Sequence, residues 1–112
     1  MPDFEANYIQ EKDLVEIKAG GKVRFSWLPD RLGLMSWLDV KTLQLDINAN
    51  VPLEILDGAQ IEELDLSTTK AVSLYKRVQV PGLRFLKVGQ CEVSRKRLIA
   101  RLVSPEGVEI LD

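Results

Sequence analysis

The stretch TLQLDINANVPLEILDGAQIEELDL, residues 42–66, decides the predicted fold. Its first part alternates Leu43, Leu45 and Ile47 with polar residues, which is the period-two pattern of a β-strand with one solvated face. Two further apolar segments follow, one on either side of an Asp-Gly turn at residues 57–58. The stretch therefore predicts three short antiparallel strands at the centre of an all-β domain.

The segments on either side of this stretch continue the pattern. Further strands are predicted at 14–17, 22–27, 71–80, 83–88 and 108–111, with a glycine turn at 19–22 and an apolar loop or short helix within 31–40. Residues 93–103 fit a helix by propensity, but their alternation and the β-branched Ile99 and Val103 favour a strand. About eight or nine short strands are typical of a β-sandwich. We predict an antiparallel, jelly-roll-like β-sandwich.

Composition predicts one ordinary globular domain. The chain has 112 residues, of which 46% are hydrophobic and 29% charged, and its net charge is −2. No repeat or linker is recognised, so residues 1–112 are predicted to form a single domain, with 1–12 as a loosely attached N-terminal arm. No apolar run approaches the roughly 18 residues that span a bilayer. The polar N-terminus does not resemble a signal peptide, and synthesis in the cytoplasm is expected.

The residues that carry most enzyme chemistry are scarce. The chain has one cysteine, Cys91, and no histidine, which excludes Ser-His-Asp and Cys-His catalysis and histidine metal sites. An internal disulfide is also excluded. The paired acids Glu62 and Glu63 fit a solvated strand face. We therefore predict no enzymatic activity, no cofactor and no metal site.

Charge is distributed unevenly along the chain. Residues 76–101 contain eight basic residues and one acid, whereas residues 1–75 contain thirteen acids and seven basic residues. Three interpretations stay open: a solvated face, a contact in which the acidic side of one copy meets the basic side of the next, and nucleic-acid binding. Nucleic acid is the least favoured, because only Tyr75 and Phe85 are near enough to stack on bases.

The candidate protein-contact residues are aromatic side chains outside the predicted core and arginines of the basic segment. They are Phe4, Tyr8, Trp37, Tyr75, Arg95, Arg97 and Arg101. Strand alternation assigns Trp27 to the core but leaves Trp37 outside it. Trp37 is therefore also a candidate stacking platform for a carbohydrate.

A resemblance to known proteins covers most of the chain. The order of AGGKV (19–23), LQLDIN (43–48), PLEI (52–55), GAQI (58–61) and VPGLRFLKV (80–88) is similar to small β-sandwich proteins of phage and virus particles. These include penton-type vertex proteins and decoration or tail-accessory modules. The resemblance implies a jelly-roll-like unit that assembles in rings or lattices, and it carries over no functional residue.

The expected function is therefore that of a non-enzymatic structural or assembly protein. Its expected partners are further copies of itself and other assembly proteins, and its expected location is a phage or virus particle. The alternative is a β-sandwich module that binds a carbohydrate or an extended peptide added at a strand edge.

Overall fold

The computed structural model describes residues 4–19, 35–105 and 107–111, which form a strand-rich domain with one short α-helix. The strands are β1 (Phe4–Ile9), β2 (Leu14–Ala19), β3 (Asp39–Ile47), β4 (Asn50–Pro52), β5 (Gln60–Asp65), β6 (Ala71–Ser73), β7 (Val78–Gln79), β8 (Phe85–Lys87), β9 (Leu102–Val103) and β10 (Glu109–Leu111). The helix is α1 (Arg95–Arg101), and 3₁₀ turns occupy Gln10–Lys12 and Leu53–Leu56. The prediction of a strand-rich domain is confirmed.

Six strands form one sheet, called here the main sheet, in the order β1-β2-β3-β5-β8-β10. β1 runs antiparallel to β2, and the other neighbours in this sheet are parallel. Leu43 lies opposite Leu64, Leu64 opposite Leu86, and Leu86 opposite Ile110. The chain thus returns to the sheet, one strand further on, after 21, 22 and 24 residues. A chain that stacks successive circuits in this way is a solenoid.

The return path of each circuit also pairs with that of the next circuit. β4 is parallel to β6, and Ala71 in β6 forms a parallel bridge with Glu92 in the following circuit. β7 is parallel to β9. At the corner between circuits, the backbone N–H of Gly58 donates a hydrogen bond to the carbonyl of Gln79, 2.7 Å away. Backbone hydrogen bonds therefore join the circuits around most of their perimeter.

The side chains that point into the solenoid form one apolar core. Leu43, Leu45 and Ile47 of β3 are fully buried, and Leu53 and Leu98 close the core from the return path. Burying a leucine side chain contributes roughly 1.5–3 kcal/mol to folding. Equivalent positions of successive circuits stack directly on one another, so each circuit needs its neighbour to bury its apolar face.

Two circuits repeat an apolar spacing followed by a small buried residue. The equivalent sets are Ile61, Leu64, Leu66 and Thr69 in one circuit, and Leu83, Leu86, Val88 and Cys91 in the next. The Thr69 hydroxyl donates a hydrogen bond to the carbonyl of Leu45 in the preceding circuit. This spacing matches the L-x-x-L-x-L pattern with which leucine-rich repeats place one strand per circuit on a shared sheet. The prediction that the chain contains no repeat is therefore wrong.

The predicted strand direction is also wrong. Six of the seven described strand pairs are parallel, so the strands in the described part of the chain form neither an antiparallel sandwich nor a jelly-roll order. Side chains alternate with period two in both kinds of sheet, and the pattern that identified the strands carries no information on direction. Parallel neighbours require a crossover of a dozen residues or more, which each circuit of the solenoid provides.

Three segments differ from their predicted local structure. The strand favoured for 93–103 is wrong, because residues 95–101 form α1, whose first turn is capped by Ser94 accepting a hydrogen bond from the Arg97 N–H at 3.3 Å. The strand expected around Glu54 is a 3₁₀ turn. The strand predicted at 71–80 is interrupted at residues 74–77, where the chain turns a corner of the circuit.

The beginning of the chain is described in part. Residues 4–9, within the segment expected to be a loosely attached arm, form β1, which pairs with β2 at six positions. The strand predicted at 14–17 is confirmed as part of β2. Most of the predicted turn at 19–22, the strand at 22–27 and the first part of the loop at 31–40 lie outside the described residues.

Candidate functional site

The outward-facing side chains of the main sheet form two rows across five strands, called here the outer rows. The first row contains Leu14, Thr42, Glu63, Phe85 and Glu109. The second row contains Glu16, Gln44, Asp65, Lys87 and Leu111. Four of these ten residues are acidic and one is basic, so the outer rows carry a net negative charge. The side chains line up in rows because the register is parallel and constant, so each circuit adds one side chain at the same height of the sheet.

Hydrogen bonds along the rows orient the two central acids. Thr42 Oγ1 donates to Glu63 Oε2 at 3.3 Å, and Gln44 Nε2 donates to Asp65 Oδ2 at 3.4 Å. Asp65 Oδ1 also accepts hydrogen bonds from the backbone N–H and the hydroxyl of Ser67, at 2.9 and 2.6 Å. Glu63 and Asp65 are therefore half-buried and aligned with the sheet surface, while part of each carboxylate stays open to solvent.

An apolar groove of about 530 Å³ runs across the outer rows. Leu14, Phe85 and Leu111 supply its apolar walls, and its charged lining consists of Glu63, Asp65, Lys12 and Lys87. Leu111 is exposed, and Leu14 and Phe85 are half-buried. A surface with an apolar centre and a polar, charged surround has the composition of a protein-binding interface.

A second charged surface lies on the return path, on the other side of the core. We call it the basic patch, and it consists of Lys76, Arg77, Arg95, Lys96, Arg97 and Arg101 together with Tyr75 and Ile99. All but Arg101 are exposed, with Tyr75 at 67% and Ile99 at 64%. The remaining two basic residues of the segment 76–101, Arg84 and Lys87, line depressions on the main-sheet side instead.

Contacts between α1 and the preceding circuit hold the basic patch together. The guanidinium carbon of Arg97 lies 5.6 Å from the centre of the Tyr75 ring. Arg101 Nη1 donates a hydrogen bond of 2.7 Å to the carbonyl of Leu74. Of the predicted contact residues, Tyr75, Arg95, Arg97 and Arg101 are thus brought together on one surface.

The other predicted contact residues lie elsewhere. The hydroxyl of Tyr8 donates a hydrogen bond of 2.8 Å to Asp13 Oδ1, and this bond to a carboxylate raises the pKa of Tyr8. Trp37 lies in the turn before β3 and is 68% exposed, between the buried Met35 and Leu38. The side chain of Phe4 lies outside the described residues, although its backbone belongs to β1.

The lone thiol is enclosed in the core. Cys91 is buried, and this burial, reinforced by the nearby negative charge of Glu92, raises its pKa to about 11. A thiol that stays protonated at neutral pH is a poor nucleophile and a poor metal ligand. Among residues 4–19, 35–105 and 107–111, no group of three or more acidic or cysteine side chains is placed to hold a metal ion. The same ranges contain no helix that is long and apolar enough to cross a membrane.

Sequence reasoning found the basic segment but missed the outer rows. Thr42, Glu63 and Phe85 are more than twenty residues apart, and only parallel register makes them neighbours. The recurring spacing of the leucines is the signal in the sequence that indicates this register. Aligning the circuits on Leu43, Leu64 and Leu86 would have brought the outer rows together.

Comparison with protein-family models, with curated proteins and with solved structures finds no match to this chain.

Proposed function

We propose that this protein is a non-enzymatic interaction module that docks on a partner protein through its outer rows. One observation carries the proposal: an apolar groove lined by Leu14, Phe85 and Leu111 crosses a sheet surface of net negative charge. The partner segment that fits this surface combines apolar side chains with lysine or arginine. The apolar groups supply affinity, and the opposite charges supply orientation and a fast association rate.

The architecture favours binding over catalysis. A solenoid presents one side chain per circuit at a fixed height, which builds a wide, rigid recognition surface. The two central acids in this surface are hydrogen-bonded to neutral partners, Glu63 to Thr42 and Asp65 to Gln44. General acid–base catalysis by a pair of carboxyl groups needs two groups with different pKa values that face one cleft. The acids of the outer rows lie instead on an open sheet surface.

Assembly into larger particles belongs to the same class of function. The similarity to phage and virus β-sandwich proteins was based on the order of sequence segments and implied a jelly-roll-like unit, whereas the neighbouring strands of the main sheet from β2 to β10 are parallel. The virus-particle role stays a prediction without structural support, whereas docking on a protein partner depends only on the outer rows.

Selection of short random peptides against the immobilised chain tests the proposal. Enriched peptides should combine lysine or arginine with apolar residues. Their binding should be lost in Glu63→Lys and in Phe85→Ala, and it should weaken as salt screens the charges. Glu92→Lys makes the same change of charge outside the outer rows and should leave binding intact. Peptide binding that is indifferent to Glu63→Lys and Phe85→Ala would contradict the proposal.

Carbohydrate binding is a second candidate, supported by the exposure of Trp37. A free indole face is the platform on which sugar rings stack. Addition of saccharides should then quench the fluorescence of the native chain but not that of Trp37→Phe, which retains Trp27 as an internal reference. Equal quenching of both proteins, or none, removes this candidate.

A further inference from the structure

The basic patch includes an exposed apolar side chain, Ile99. Ile99 is 64% exposed on α1, and Arg95 and Lys96 precede it by one helical turn, so they flank it on the helix surface. On the neighbouring segment, the exposed ring of Tyr75 lies beneath Arg97. Ile99 and Tyr75 thus give the basic patch exposed apolar surface as well as charge.

The outer rows have the inverse arrangement. Their apolar groove lies on rows of four acids and one lysine, with Lys12 also in its lining, whereas the apolar residues of the basic patch lie among cations. With Ile99 packed between Leu14 and Phe85, the cations that flank it would face Glu63 and Asp65. The two surfaces thus pair an exposed apolar side chain with an apolar groove, and a net positive charge with a net negative one.

The two surfaces cannot meet within one copy. The outer rows project from the main sheet, and α1 lies on the return path, with the core between them, because Leu64 of the sheet and Leu98 of α1 both point inward. Any contact between the outer rows and the basic patch must therefore join two molecules. Such a contact is heterologous, and a pair of copies joined in this way keeps one free surface of each kind.

We propose that the basic patch of one copy docks into the outer rows of a second copy, and that the protein assembles head to tail. The inference rests on the proposed function, for which it names the partner. The alternative occupant of the basic patch, a nucleic acid, fits less well. The whole chain has a net charge of −2, and the one ring in the patch, Tyr75, is already paired with Arg97.

Mass in solution tests this assembly, measured by light scattering on the full chain over a range of protein and salt concentrations. The wild type should rise above its monomer mass of 12.7 kDa as concentration rises, and more so at low salt. Lys96→Glu and Glu63→Lys should each weaken the association on the order of tenfold or more. Glu109→Lys, an exposed member of the first outer row, repeats the test at a site where folding is not at risk.

Mixing two blocked variants gives the sharpest result. Lys96→Glu keeps intact outer rows, and Phe85→Ala, which removes a wall of the groove without reversing a charge, keeps an intact basic patch, so together they have one good contact and no means of growing further. An equimolar mixture should reach the mass of a dimer and stop there, while each variant alone stays monomeric. Glu92→Lys should behave as the wild type.

Three outcomes overturn the inference. They are a wild type that stays monomeric at all concentrations and low salt, a mixture that stays monomeric, and an oligomer insensitive to both variants. A single-stranded oligonucleotide bound by the wild type and lost in Lys96→Glu, with no self-association, would assign the basic patch to nucleic acid instead. In each case, peptide binding that depends on Glu63 would still stand, so failure of the assembly is distinguishable from failure of the proposed function.

Discussion

The carboxylate of Glu54 accepts a hydrogen bond of 2.6 Å from the backbone N–H of Tyr75 in the next circuit. The same carboxylate oxygen accepts a second hydrogen bond, of 3.0 Å, from the backbone N–H of Lys76. Residues 74–77 form a corner that the strand ladders leave unpaired, and Glu54 supplies the acceptor that this corner needs. The side chain therefore anchors the part of the basic patch that carries Tyr75.

Replacing Glu54 should consequently loosen this corner. Hydrogen bonds to a charged acceptor are stronger than neutral ones, and this site is partly exposed, so we expect Glu54→Ala to lower the free energy of unfolding by about 1–2 kcal/mol. Glu54→Gln should lose less, because its amide oxygen still accepts. Urea denaturation measures both, with the exposed Glu62→Ala as the control. Equal stability of Glu54→Ala and Glu62→Ala would show that the anchor contributes nothing.

Two glycines with positive φ should respond differently to alanine. Gly89 has φ +57°, and a Cβ there would lie 2.8 Å from the Cβ of Ser67. Gly107 has φ +76°, but a Cβ there would meet no atom within 4 Å. Gly107→Ala should lower the free energy of unfolding by about 1 kcal/mol, because alanine disfavours the left-handed conformation. Gly89→Ala should lower it by about 2 kcal/mol or more, because the new Cβ also meets Ser67. Chemical denaturation checks the order, and equal losses would contradict the close packing at Gly89.

The buried thiol should make stability depend on alkaline pH. Burial, reinforced by Glu92, raises the pKa of Cys91 to about 11 in the folded state, against about 9 for an ordinary thiol. Between pH 9 and 11 the unfolded chain releases this proton and the folded chain holds it, so unfolding becomes more favourable as the pH rises. Cys91→Ala should reduce the decline over this window. An unchanged decline would exclude Cys91 as its source.

The same enclosure should protect Cys91 from reagents at neutral pH. A small thiol reagent should react slowly with the native chain and rapidly in urea, because attack requires a thiolate that the folded chain does not expose. Rates followed by absorbance give the comparison. Reaction at the same rate in native and unfolded protein would contradict the burial.

Strand positions could be predicted from the sequence, and strand partners could not. Alternation correctly assigned Leu43, Leu45 and Ile47 to the core, because only one face of β3 is buried. The direction of pairing depends instead on how far the chain travels before it returns. That information lay in the recurrence of Leu64 and Leu86 at near-constant separation, which was not recognised as a repeat.

Helix α1 shows how local and tertiary signals compete. Alternation of Leu98, Ala100 and Leu102 favoured a strand, but Ala100 is exposed, and only Leu98 within the helix is buried. Ser94 supplied the missing signal, since a serine before a run of good helix formers is a common N-cap. Six of the eight basic residues in the segment 76–101 lie on one surface, where Arg97 and Arg101 contact Tyr75 and Leu74, whereas Arg84 and Lys87 lie on the main-sheet side.

The parallel register of the main sheet is the central claim, because the outer rows exist only if it holds. Paired cysteines test it directly in a Cys91→Ala background, with oxidation followed by mass spectrometry. Thr42→Cys with Glu63→Cys, and Gln44→Cys with Asp65→Cys, place the two thiols on directly opposed residues. The crossed combinations, 42 with 65 and 44 with 63, place them on diagonal residues, beyond the roughly 7 Å between Cα atoms that a disulfide can bridge.

Parallel strands keep a constant difference between paired residue numbers, and antiparallel strands keep a constant sum. We therefore predict that both direct combinations form intramolecular disulfides while both crossed combinations remain reduced. Disulfides in the crossed combinations, with reduced thiols in the direct ones, would contradict the solenoid and the outer rows with it.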